Sequence, residues 1–213
     1  MVDDEGAVPR HAAIVAEPLK STTSRARITG EGYIQTMFGR GSILVMMAVT
    51  LAACGEPKRP DGGQGLLPVG APAPDLTAKD PQLHPVRLSE LRGHPVVVYF
   101  YPADGTPGCT KEACAFRDAW KKYDAAHVGI IGVSNDNAEK HAAFTKEHAI
   151  PFPLAADTDG AIGQSYGVGK KIWGYDRVSF LIDKDGKVAK VWPSVDPGVH
   201  ADEVLAEATK LAP

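Results

Sequence analysis

The sequence contains few cysteines, little net charge and no long apolar run. Its three cysteines are Cys54, Cys109 and Cys114, and the last two form C-x-x-x-x-C, which disfavours a dithiol centre of the C-x-x-C type. Seven histidines show no metal-ligand spacing, so we expect neither a metal nor another cofactor. The net charge of −3 gives no reason to expect a nucleic-acid partner.

The longest apolar run, Ser42 to Ala53, is too short to cross a bilayer as a helix but suits the apolar region of a secretory signal. Arg40 precedes the run, and Leu51-Ala52-Ala53-Cys54 ends it. This ending resembles a bacterial lipobox, in which the cysteine is lipidated and becomes the first mature residue. Residues 37–53 are therefore interpreted as a lipoprotein-type signal, with Cys54 as the lipidation site.

The remaining N-terminal residues suggest how the domain is tethered. Residues 1–36 show no sustained periodicity, and we expect them to lie upstream of a true start at Met37 or to be disordered. Residues 54–68 are rich in Gly and Pro, which is typical of a flexible tether. The domain, residues 69–213, is then expected on the extracytoplasmic (periplasmic) side of a bacterial membrane. A buried helix, a cleaved signal and an uncleaved anchor are the alternatives for the apolar run.

From Val69 onward, apolar runs and amphipathic segments alternate, which predicts an α/β domain. The predicted strands are 72–79, 85–89, 96–101, 128–134, 152–155, 178–182 and 188–192, with one turn at 88–91. The predicted helices are 110–127, 137–148, 160–166 and 200–211. We expect Asn135 or Asp136 to cap the second helix, and the Asp-Gly segments at 157–160 and 183–186 to be turns rather than calcium loops.

The segment Val96 to Asp118 carries the chemistry. Val96 to Tyr101 reads as a strand buried on both faces, and a short Pro- and Gly-rich turn leads into a helix. Cys109 thus lies where a central strand passes into a helix, where open α/β sheets place ligands and unpaired N–H groups favour an anion. A thiolate is such an anion.

The same residues resemble those of a known family. Pro102, Thr106 and Cys109 match the P-x-x-x-T-x-x-C pattern of peroxiredoxins, and Cys114 resembles the resolving cysteine of the bacterioferritin-comigratory protein (PrxQ) branch. The resemblance covers roughly residues 68–213. It implies a thioredoxin-like fold with an added N-terminal β-hairpin and a mixed central sheet flanked by helices, in which the strands at 96 and 128 run parallel.

The resemblance implies a thiol peroxidase that reduces hydrogen peroxide and organic hydroperoxides. Cys109 would become a sulfenic acid, Cys114 would form a disulfide with it, and a thioredoxin or thioredoxin-like protein would reduce that disulfide. The branch is often monomeric, so a monomer is expected. A regular helix holds residues five apart at a Cα distance of roughly 8.6 Å, beyond the reach of a disulfide, so the helix would have to unwind. The alternative is an inert Cys114.

Arg177 is the expected main donor to the peroxide, because the family places its active-site arginine at the start of such a strand. Thr106 would offer a hydroxyl and Pro102 would shield the pocket. For Glu112, two roles stay open: orienting the arginine, or favouring the first helical turn by its charge. We expect His200 to begin the last helix and Trp173 to edge the active site.

Two functions of other classes are possible in the same fold. One is an extracytoplasmic thiol–disulfide oxidoreductase, which would normally carry C-x-x-C and a cis-proline before the later strand, where this chain has Asp176 and Arg177. The other is a copper-delivery module, which tends to use C-x-x-x-C. The cysteine spacing disfavours both.

Overall fold

The computed structural model describes residues 57–79 and 84–211. The predicted signal, its lipidation site Cys54 and residues 1–36 lie outside this range. Within the described residues, no helix combines the length and apolarity that a membrane crossing requires.

The described residues form nine β-strands, four α-helices and one 3₁₀ turn. The strands are β1 (Thr77–Lys79), β2 (Pro85–Arg87), β3 (Val96–Phe100), β4 (Gly129–Ser134), β5 (Leu154–Ala156), β6 (Lys170–Lys171), β7 (Gly174–Tyr175), β8 (Val178–Ile182) and β9 (Val188–Trp192). The helices are α1 (Pro107–Ala125), α2 (Ala138–His148), α3 (Ala161–Tyr166) and α4 (His200–Ala208), and the 3₁₀ turn is Leu88–Leu91.

Seven strands form one mixed sheet in the order β2-β1-β5-β4-β3-β8-β9. The strands β3, β4 and β5 are parallel, and α1 provides the crossover from β3 to β4. The remaining neighbours, including β3 with β8, are antiparallel. The predicted mixed sheet and N-terminal hairpin are confirmed.

Strand β3 lies in the middle of the sheet and is buried on both faces. Val97 and Tyr99 pack in a core with residues of α1, α2 and α4, whereas Val96, Val98 and Phe100 pack in a second core with Tyr166 of α3. An uninterrupted apolar sequence is what a strand covered on both faces requires. Its carboxyl end is therefore a rigid base for the loop that follows.

Several predicted boundaries are wrong in detail. Helix α1 begins three residues earlier than predicted, because Pro107 fits the first helical position. The cap of α2 is Asn137, whose side chain accepts from the Lys140 N–H at 2.9 Å, rather than Asn135 or Asp136. The β6–β7 hairpin was not predicted. Both Asp-Gly segments are turns, since Asp157 and Asp183 accept backbone N–H groups of the residues that follow them.

The prediction of a flexible tether is wrong for residues 57–67, which we call the N-terminal strap. Arg59 is 8% exposed and donates to the carbonyls of Gln64, Gly65 and Leu66 at 3.2, 2.8 and 3.1 Å. The strap docks on α3, since the Leu67 N–H donates to the Tyr166 carbonyl at 2.9 Å. The Arg59 side chain thus donates to three carbonyls of the strap. These hydrogen bonds hold a glycine-rich segment whose backbone would otherwise adopt many conformations.

Candidate active site

Cys109 lies in the first turn of α1, beyond the carboxyl end of β3. The Thr106 carbonyl accepts the first hydrogen bond of this helix, from the Thr110 N–H at 2.8 Å. The first N–H groups of a helix have no partner within it, so the backbone here favours a negative charge. Because Cys109 is only 1% exposed, the surrounding protein encloses its thiol almost completely.

Arg177 reaches this thiol through the pairing of β8 with β3. Val178 lies opposite Phe100, so Arg177, one residue before β8, lies at the same sheet edge as the loop after β3. Its Nη2 atom is 3.3 Å from the Cys109 Sγ atom. A guanidinium stays charged at any physiological pH, so the sulfur has a permanent positive neighbour.

Glu112 forms an ion pair with the other terminal nitrogen of the guanidinium, Nη1 of Arg177. Burial raises the pKa of the Glu112 carboxyl to about 7, although Arg177 acts in the opposite direction. Burial also disfavours the charge of Arg177, but Glu112 and Cys109 outweigh it and raise the pKa of Arg177 above its ordinary value. Of the two roles left open by the sequence, this contact favours the orientation of Arg177.

The structure places Pro102 and Thr106 in the loop between β3 and α1. Thr106 is exposed, and its hydroxyl donates to the Ala103 carbonyl at 3.1 Å rather than to Cys109. The Pro102 carbonyl lies against Gly174 in the β6–β7 hairpin, so closely that a Cβ atom on Gly174 would be 1.9 Å from it. The hairpin therefore fixes one side of the loop, and at its tip Trp173 is 67% exposed.

Cys114 is half-buried in α1, and both Cys109 and Cys114 are free thiols. A step of five residues along a continuous helix separates their Cα atoms by roughly 8.6 Å. Disulfides require a Cα separation below about 7 Å, so the structure keeps the two thiols apart. One turn beyond Cys114, Arg117 ties α1 to the end of α2 by donating to the His148 carbonyl at 2.8 Å.

A buried polar network behind the loop was missed in the sequence. Asp104 accepts from the Tyr101 hydroxyl and contacts the His141 ring, both at 2.7 Å. Its backbone N–H donates to Asp136 at 2.6 Å. The available signal was His141, a polar residue three positions before the apolar Phe144 on a predicted helix, because a buried polar side chain must find a partner.

His200 begins α4, as predicted, and is completely buried. Its Nε2 atom lies 2.8 Å from the Ser179 hydroxyl, and its ring meets those of Phe116 and Trp192 edge-on. Burial lowers the pKa of His200 to about 4, although Glu203 acts in the opposite direction. The residue is therefore a neutral part of the core beneath the site.

A buried thiol beside a guanidinium, at the carboxyl end of a mixed sheet, defines a cysteine-dependent oxidoreductase of the thioredoxin-like fold. Comparison with known proteins narrows this class. The model of the AhpC/TSA family matches residues 69–191. The chain therefore belongs to the AhpC/TSA family, and its relatives identify it as a peroxiredoxin of the Bcp/PrxQ branch, a thiol peroxidase.

Relatives agree in sequence and in structure. Peroxiredoxin Bcp of Bacillus subtilis is 40% identical over 146 residues, which cover 65% of this chain and 93% of the relative. Chloroplastic peroxiredoxin Q of Sedum lineare is 43% identical over 139 residues, 64% of this chain and 75% of the relative. The crystal structure of peroxidoxin BcpB from Mycobacterium tuberculosis matches with a TM-score of 0.63 and 36% identity, over 67% of this chain and 97% of that one.

Proposed function

We propose that this peroxiredoxin reduces hydrogen peroxide and organic hydroperoxides through a sulfenic acid on Cys109, which Cys114 resolves as a disulfide. The observation that carries the proposal is the 3.3 Å contact between the Arg177 Nη2 atom and the enclosed Cys109 Sγ atom. The contact provides a positive charge at the point where a peroxide would meet the sulfur.

In the first step, the Cys109 thiolate attacks one peroxide oxygen. An S–O bond forms while the O–O bond breaks, the sulfur loses two electrons, and the second oxygen takes up a proton and leaves as water or alcohol. Full ionisation of an ordinary thiol, with a pKa of about 8.5, raises the thiolate fraction at pH 7 only about thirtyfold. Most of the acceleration must come from Arg177, which Glu112 orients, stabilising charge on the departing oxygen. Thr106 and Pro102 complete the pocket.

In the second step, the Cys114 thiol attacks the sulfenic sulfur. An S–S bond forms, the S–O bond breaks and water leaves. Because both cysteines lie in α1, its first turns must unwind before the two sulfurs meet. A thioredoxin-like dithiol then supplies two electrons and two protons, and α1 refolds.

Two cysteine variants test this cycle. Cys109→Ser should consume no peroxide. Cys114→Ser should consume one equivalent and accumulate sulfenic acid, without the intramolecular disulfide that mass spectrometry should detect in the peroxide-treated native protein. Peroxide consumption by Cys109→Ser would overturn the assignment of the nucleophile. A Cys114→Ser variant that turns over with a dithiol reductant at the native rate would overturn the assignment of the resolving cysteine.

We further propose that Cys54 is lipidated and holds the domain, as a monomer, at the extracytoplasmic side of a bacterial membrane. The apolar run that ends in Leu51-Ala52-Ala53-Cys54 supports this. Mass spectrometry of peptides from membrane fractions should find an acylated N-terminal Cys54. An unmodified Cys54 that still follows Ala53 would contradict the proposal. Sedimentation of the purified domain tests the monomer.

A further inference from the structure

We propose that Asp104 and His141 are positioning residues for the peroxidase reaction, which rests on the function proposed above. They form a buried hydrogen-bonded pair between the loop after β3 and helix α2, and both residues are 5% exposed or less. Asp104 lies two residues after Pro102 and two before Thr106. Fixing Asp104 therefore fixes the part of the loop that faces a peroxide at Cys109.

Hydrogen bonds satisfy every polar side-chain atom of the pair. His141 Nε2 lies 3.2 Å from the Ala155 carbonyl, which can only accept, so this nitrogen carries a proton. His141 Nδ1 lies 2.7 Å from one oxygen of Asp104, and the Tyr101 hydroxyl donates to the other oxygen at 2.7 Å. Both ring nitrogens of His141 and both carboxyl oxygens of Asp104 therefore have hydrogen-bond partners, as buried polar groups require.

A second contact holds the backbone of the same loop. The Asp104 N–H donates to Asp136 at 2.6 Å, and Asp136 also accepts from the Ser134 hydroxyl at 2.9 Å and from Lys140 at 2.5 Å. Ser134 ends β4 and Lys140 belongs to α2, so neither anchor depends on α1. The loop consequently stays in place while the first turns of α1 unwind, and it receives the helix when α1 refolds.

The position of the loop affects one step of the cycle. The attack on peroxide requires that the loop residues Thr106 and Pro102 keep their positions relative to the thiol and the guanidinium. Small displacements of groups that position a substrate can lower a reaction rate by about two orders of magnitude. Formation of the disulfide instead requires that α1 leaves this arrangement. Loss of the Asp104–His141 pair should therefore slow oxidation of Cys109 at least tenfold and change the rate of disulfide formation less than threefold.

The main test is the double variant Asp104→Ala/His141→Leu, which removes both side chains of the pair at once, so that neither is left buried without the other. Stopped-flow measurements with hydrogen peroxide separate the second-order oxidation of Cys109 from the first-order formation of the disulfide. The double variant Asp104→Asn/His141→Gln retains a hydrogen bond between the two side chains and should recover part of the oxidation rate. Oxidation of the first double variant within twofold of the native rate overturns the inference, as does an equal loss in both steps.

A milder pair of variants keeps the inference testable if the double variant does not fold. Tyr101→Phe removes one donor to Asp104 and should slow oxidation about threefold. Tyr123→Phe is the matched control, because its equally buried hydroxyl donates to the Ala201 carbonyl at 2.6 Å, near the other end of α1. Equal oxidation rates in these two variants overturn the inference. A native protein that does not react with peroxide overturns the proposed function itself, and the inference with it.

Discussion

The Glu112 carboxyl group is completely buried and has a permanent cation, Arg177, as its partner. Its pKa of about 7, against an ordinary value of 4.5, shows that burial outweighs the attraction of Arg177. The side chain therefore titrates near neutral pH while it holds the guanidinium next to Cys109.

This pKa shift predicts how stability depends on pH. Between pH 4.5 and about 7 the folded protein binds the Glu112 proton and the unfolded chain releases it, so this group lowers the free energy of unfolding as pH rises. In Glu112→Gln that contribution is absent. The variant should gain stability relative to the native protein as pH rises through this window, by at most about 1.4 kcal/mol per pH unit.

Chemical denaturation at a series of pH values measures the difference. His200 has the opposite effect on the free energy of unfolding. Its pKa of about 4 lies below its ordinary value of 6.5, so its contribution to stability is lost as pH falls through that range. Since His200 is present in both proteins, its effect cancels in the comparison. A stability difference that does not change with pH would contradict the prediction.

Single residues differ in how far the sequence predicts their surroundings. The sequence alone identifies Cys109, Pro102 and Thr106, because the three residues match a motif of fixed spacing within one short segment. The contact between Asp104 and His141 joins residues 37 positions apart, and it depends on how α2 packs against the loop. No periodicity or motif carries that information, so only the folded chain shows it.

Among the elements, long and strongly patterned segments were predictable and short ones were not. Strands β3, β4, β8 and β9 were identified from their apolar runs, with β8 and β9 joined by a turn around Asp-Lys-Asp-Gly. The two-residue strands β6 and β7 have no such pattern, because pairing alone defines them. Their hairpin nevertheless contacts the active-site loop, through Gly174.

The close approach of Gly174 to Pro102 gives a prediction for this hairpin. Gly174 has φ +119°, and an added Cβ atom would overlap the Pro102 carbonyl oxygen, so Gly174→Ala must displace the loop. Gly93→Ala is the matched control, since Gly93 has φ +95° but open space around it. Both variants should be destabilised by about 1–2 kcal/mol of backbone strain. Only Gly174→Ala should lose more stability than that and react more slowly with peroxide.

Thermal unfolding and stopped-flow oxidation measure the two effects. Equal losses of stability in both alanine variants, with unchanged peroxide rates, would show that the hairpin does not position the loop.

For the whole molecule, the N-terminal strap changes the expected distance between the domain and Cys54. Only Gly55 and Glu56 separate Cys54 from Pro57, and the three Cα–Cα steps between them span at most about 11 Å. If Cys54 carries a lipid, as proposed, the domain lies close to the bilayer surface rather than on a long leash. The composition could not show this, because glycine and proline occur both in flexible linkers and in ordered turns.

Arg59 should control whether the strap stays docked. Arg59→Met removes the donor to three carbonyls, so the amides of residues 57–67 should exchange with deuterium at least tenfold faster. Exchange in the first turns of α1 should not change. Lys58→Met is the control, because the Lys58 side chain is exposed. Unchanged exchange in Arg59→Met would show that other contacts hold the strap.

The enclosure of Cys109 also determines which molecules can take part in each half-reaction. Cys109 is 1% exposed, so the folded site leaves no room at its sulfur for the thiol of another protein, whereas an oxidant of a few atoms needs far less space. In the proposed cycle, a protein reductant would therefore act only after α1 has opened and brought the sulfur outward as a disulfide. In that cycle, the oxidant reacts with the protein while α1 is folded, and the reductant reacts with it after α1 has opened. The two partners therefore do not compete for the same form of the active site.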